Sequence, residues 1–148
     1  MPHLSRWIAL NHDADSMTTF LALAAALLYF ACAGPMALRA LRGESYQPVA
    51  PAMTAAALVA LICHAVVCYR LLFLPGGLTL SFFAVATTIA WFISLIALLG
   101  SLRAPIDKLL IPVYGLAGLT LLGALALPGD SETSNRIGPG VASHILLS

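Results

Sequence analysis

The sequence predicts an all-α fold: a polytopic transmembrane helical bundle of four spans plus the start of a fifth. Two observations predict it. Of 148 residues, 61% are hydrophobic and only 9% are charged, and the mean hydropathy is +0.97. An average soluble domain is about 45–50% apolar and about 25% charged, so this chain has too few charges to solvate a compact surface. The apolar residues also gather into four long stretches, each near the roughly 20 residues that cross about 30 Å of hydrocarbon. The same composition excludes a soluble globular enzyme and a disordered chain. A net charge of +1 provides no basic footprint for nucleic acid.

The first span runs from about Thr18 to Leu38. His12, Asp13 and Asp15 precede it, which is the wrong flank for a signal peptide. Gly34-Pro35 should kink its inner end, and Arg39, Arg42, Gly43 and Glu44 close it. The second span covers about Val49 to Leu72 and stops at Pro75-Gly76-Gly77. The third runs from about Leu80 to Ser101, ahead of Arg103, Pro105, Asp107 and Lys108. The fourth covers about Leu109 to Leu127 and ends at Pro128-Gly129-Asp130. Its Gly115, Gly118 and Gly123 suit close helix packing. Beyond the loop, Val141 to Ser148 read as the first two turns of a fifth span, or else as a short tail lying at the interface. Residues 1–148 are therefore expected to form one membrane domain, the N-terminal part of a longer protein.

Orientation follows from lysine and arginine. Arg39, Arg42, Arg103 and Lys108 share one side, against Arg6, Arg70 and Arg136 on the other. The positive-inside rule then places the first and third loops in the cytoplasm and the N-terminus outside. Cys32, Cys63 and Cys68 lie inside apolar runs and are odd in number. They form no disulfide framework, and cysteine in such places is a small apolar filler.

His64 is the most informative position, because ionisable groups inside membranes are rare and face the bundle interior. Ala56, Ala60, His64 and Cys68 follow at i, i+4 steps, so small residues flank the imidazole on one face. Two readings of His64 stand side by side. One is functional: haem ligation, proton relay or quinone contact. The other is an interhelical hydrogen bond, to Thr87, Thr88 or Ser94 of the third span. Arg70, near the outer end of the second span, either snorkels to the headgroups or pairs with an anionic group such as a porphyrin propionate. His144 stands at the mouth of the fifth span, as a metal-binding imidazole or a polar boundary residue. Thr87, Trp91 and Ser94 share a face of the third span, and an indole this deep needs a partner for its N–H. No catalytic constellation, phosphate-binding glycine loop, zinc-ligand spacing or span-core carboxylate is present in the sequence.

The run Ala60-Leu-Ile-Cys63-His64-Ala-Val-Val, with Arg70 and Leu74-Pro75-Gly76, resembles the second-span region of the YpjD-like inner-membrane proteins. Leu78-Thr-Leu-Ser-Phe-Phe resembles the entrance to their third span, and Leu110-Ile-Pro-Val-Tyr114 the start of their fourth. Gly138-Pro-Gly-Val-Ala-Ser-His144-Ile-Leu-Leu-Ser148 is similar to the beginning of their fifth. These proteins belong with the cytochrome c assembly proteins of the CcsA and HemX-like type. The resemblance implies a bacterial inner-membrane protein that handles haem for cytochrome c maturation alongside other maturation proteins. It implies His144 as a haem-iron ligand, with His64 and Arg70 as candidate haem contacts. The partner ligand lies further along the family's chain, past the residue matched by Ser148. Two other classes are carried beside it: a permease subunit for a small substrate, which needs a polar path or broken helices near the midplane, and a non-catalytic scaffold for a membrane complex.

Overall fold

A computed structural model of the chain describes residues 2–44, 50–73, 81–104 and 106–127, with the side chains of 2–14 and of residue 107 left out. Four helices follow in order: α1 (Pro2–Leu41), α2 (Pro51–Leu72), α3 (Phe82–Ser101) and α4 (Asp107–Ala126). All four contain stretches long and apolar enough to cross a membrane: Asp15–Leu41, Pro51–Leu72, Phe82–Ser101 and Lys108–Ala126. These agree with the four expected spans to within a few residues. The expected fifth span, at 141–148, lies outside the described residues.

The helix ends follow local chemistry. Gly43 takes a φ of 66° just past α1, which a side chain would resist, and its N–H bonds the Ala40 carbonyl at 3.2 Å. Pro51 starts α2, where its missing N–H costs nothing. The Ser81 hydroxyl caps α3 by accepting from the Ala84 N–H at 3.2 Å. The Gly34-Pro35 pair, where a kink is expected, falls inside α1, which continues through Pro35 to Leu41.

Successive helices run antiparallel. Tyr29 and Cys32 of α1 meet His64 and Met53 of α2, and His64 and Leu61 meet Thr87 and Trp91 of α3. Phe83 and Thr87 meet Gly123 and Thr120 of α4. The ring closes because α4 packs on α1, its most extensive interface, while α2 on α3 is the slightest of the ring's four interfaces. Inside and outside are inverted relative to a soluble bundle. Alanine dominates the buried positions, from Ala22, Ala25 and Ala26 through Ala57 and Ala60 to Ala117, whereas Phe20, Leu27, Ile62, Phe82 and Ile96 point outward at 65–79% exposure. Lipid gives no hydrophobic drive for helices to associate, so small residues that let backbones approach, and hydrogen bonds between them, hold such a bundle. Gly118 makes the point: a Cβ there would lie 2.7 Å from the Phe30 ring, so the missing atom is what lets α1 and α4 touch.

Candidate functional site

The centre of the bundle carries a line of polar groups, one step per helix. Tyr29 of α1 and His64 of α2 are both 0% exposed, and the Tyr29 hydroxyl lies 3.1 Å from His64 Nδ1. On the far side of the ring, His64 Nε2 lies 3.1 Å from the Thr87 carbonyl of α3. The Thr87 hydroxyl donates in turn to the Thr120 carbonyl of α4 at 3.4 Å. One hydrogen-bonded line therefore crosses all four helices.

The partners fix the state of the imidazole. A backbone carbonyl only accepts, so Nε2 carries the proton and Nδ1 is left as an acceptor, to which Tyr29 donates. His64 is thus a neutral imidazole with both nitrogens engaged. Its inward direction agrees with the small-residue face expected from the sequence; the buried stripe is Ala57, Ala60, Leu61, His64, Val67 and Cys68, with Ala56 only half-buried. The interhelical bond to the third span is present too, but through the Thr87 backbone rather than a Thr or Ser side chain. A haem iron would have to displace one of these bonds, and no nitrogen of His64 is free for it. The line is also no proton relay as it stands, because the carbonyl of Thr87 cannot accept a proton and pass it on.

Tyr29 is the member that sequence reasoning missed. Its ring meets His64 edge-on, with centroids 5.7 Å apart at 79°, and packs on Tyr114 at 5.3 Å. One signal was available: tyrosine favours the membrane–water interface, yet Tyr29 and Tyr114 stand in mid-span. The Ser94 Oγ and the Tyr114 hydroxyl are the buried side-chain oxygens without a hydrogen-bond partner among the described residues. Trp91 finds the partner its depth demands: Nε1 donates to the Leu61 carbonyl at 2.9 Å, tying α3 to α2.

Arg70 is not brought to this line. It is half-buried near the C-terminal end of α2, where Nη1 reaches the Thr18 hydroxyl of α1 at 3.5 Å. It stands six residues from His64, roughly 9 Å along the axis and turned by about 120°. His144 lies outside the described residues. The crevice lined by Cys32, Met36, Met53 and Tyr114 measures about 10 Å³, close to one water and far too small for a porphyrin. All four helices run unbroken through the midplane, so the broken-helix geometry of a permease site is absent among the described residues. No group of three or more His, Cys, Asp or Glu side chains converges there either. No protein-family model, curated protein or solved structure matches this chain.

Proposed function

We propose that this bundle is the membrane platform of a haem-handling protein of the cytochrome c assembly type, seated in the bacterial inner membrane with its N-terminus periplasmic. One observation carries the platform reading: the only imidazole among the described side chains is fully buried and has both nitrogens bonded to neighbouring helices. An interior of this kind holds helices in register and leaves ligand chemistry to the rim. The resemblance over Ala60 to Ser148 supports haem as the ligand. On this reading His144 would supply an imidazole nitrogen to the haem iron, and Arg70 would offer its charge to a propionate. His64 holds α1, α2 and α3 together through its two bonds. Haem would contribute its iron chemistry, while the protein's levers are the axial ligand, hydrogen bonding and burial.

The test is to purify the protein from haem-replete membranes, in the length that the cell makes, and record the Soret band and haem per chain. His144→Ala is expected to remove the Soret band, and His64→Leu to keep it. A parent protein without haem, or an unchanged spectrum in His144→Ala, overturns the haem assignment. The platform reading would then stand as a scaffold for partner proteins.

A further inference from the structure

A small crevice lies away from the polar line, toward the C-terminal end of α1 and the N-terminal end of α2. Cys32 and Met36 line it from α1, Met53 from α2 and Tyr114 from α4. Cys32 and Met36 are four residues apart and share a helix face. The Cys32 thiol lies 3.7 Å from the Met53 carbonyl, so the two helices bring their sulfur-bearing residues to one place. Tyr114 is 1% exposed, and its hydroxyl has no hydrogen-bond partner among the described residues.

We propose that Cys32, Met36 and Met53 form a binding site for a single cuprous ion. Four features favour this occupant. The crevice, about 10 Å³, has the room of roughly one water-sized sphere, which suits an ion and excludes an organic ligand. Thiolate and thioether donors are soft and select Cu(I) over hard or borderline cations. Charge settles the rest: on binding, the Cys32 S–H bond breaks, an S–Cu bond forms and the proton leaves to water. A monovalent cation on one thiolate is neutral overall, whereas a divalent ion would leave a net charge in lipid. The metal enters already reduced, so no electron is transferred. Finally, the partnerless Tyr114 hydroxyl is a donor suited to the thiolate, as outer-shell groups are in metal sites. Methionine's three torsions let both thioethers swing onto the ion. The crevice is at the end of the bundle that carries Arg39, Arg42, Arg103 and Lys108, the side that the positive-inside rule places in the reducing cytoplasm.

The experiment uses the purified protein in detergent without oxygen, titrated against Cu(I) held by the coloured chelator bicinchoninate. The parent is expected to withdraw one equivalent, and X-ray absorption to show an all-sulfur shell. Cys32→Ser should abolish withdrawal. Met36→Leu and Met53→Leu, which conserve volume, should each weaken it by more than the ~10-fold typical of losing an outer-shell partner. Should Cys32→Ser fail to fold, the Met36→Leu/Met53→Leu double variant decides the matter. Cys63→Ser, outside the crevice lining, should bind as the parent does. A parent that leaves Cu(I) with the chelator overturns the site, as does a folded Cys32→Ser or double-Met variant that still withdraws it. A nitrogen or oxygen shell, or loss on Cys63→Ser, does the same. The outcome is independent of the haem reading, because copper withdrawal and a sulfur shell are read without the Soret band.

Discussion

Tyr29→Phe isolates one bond of the polar line. The variant keeps the aromatic ring, and with it the 5.3 Å packing on Tyr114. It removes only the hydroxyl that donates to His64 Nδ1 at 3.1 Å. Both residues are 0% exposed, so no water replaces the donor and the Nδ1 lone pair is left bare. In a soluble interior such an orphan costs about 1–3 kcal/mol. In membranes the average is nearer 0.6 and the maximum about 1.7 kcal/mol, because the unfolded helices also find partners. Full burial of both partners places this bond in the upper part of that range, at about 1–1.7 kcal/mol. That is roughly a 5- to 18-fold shift in the unfolding equilibrium. SDS titration in mixed micelles would read it, using Trp91 fluorescence in a Trp7→Phe background, since the Trp91 indole is anchored across α2 and α3. The decisive comparison is Tyr29→Phe within His64→Leu. With no lone pair to orphan, the substitution there should cost close to nothing, giving a coupling of about 1–1.7 kcal/mol. A coupling below about 0.3 kcal/mol, the scatter expected of independent sites, would refute the reasoning.

Two further expectations test the packing and the orientation. Gly118→Ala should destabilise the bundle by about 1–2 kcal/mol, because the new Cβ meets three atoms of the Phe30 ring within 3.1 Å. Gly115→Ala meets nothing within 4 Å and should be neutral or stabilise by about 0.5–1 kcal/mol; equal effects in the same SDS titration would contradict the α1–α4 contact. Arg39→Ser with Arg42→Ser reverses the four-to-three basic bias and should give mixed or inverted orientation, read by labelling a single cysteine placed near Glu44 from either side of sealed vesicles. The exposed Arg42–Glu44 pair, at 3.9 Å, contributes little to stability, so folding itself should be unchanged.

The spans were legible because a helix that meets lipid on its outer face stays apolar along its length, and the charges mark where it stops. The inward face of His64 was legible for a local reason: Ala60 and Cys68 lie one turn to either side. Its partners were not. Thr87 and Leu61 accept through backbone carbonyls, which every residue has and no side chain advertises. Tyr29 meets His64 across 35 positions of sequence, a pairing set by how α1 and α2 slide against one another. The glycines of α4 were read correctly as packing sites at Gly118 and Gly123, but Gly115 has open space beside it. Spacing alone does not say which glycine faces a ring.

The order of the polar line has a consequence for how the bundle is made. Tyr29 and Tyr114 are 85 positions apart, so at about 5–20 residues per second their helices emerge about 4–17 s apart. During that interval α1 lacks its largest neighbour. Yet Tyr29 gains His64 when α2 arrives, His64 gains Thr87 with α3, and Thr87 gains Thr120 with α4. Each insertion satisfies the polar group that the previous helix left waiting, and the broad α1–α4 seam closes last.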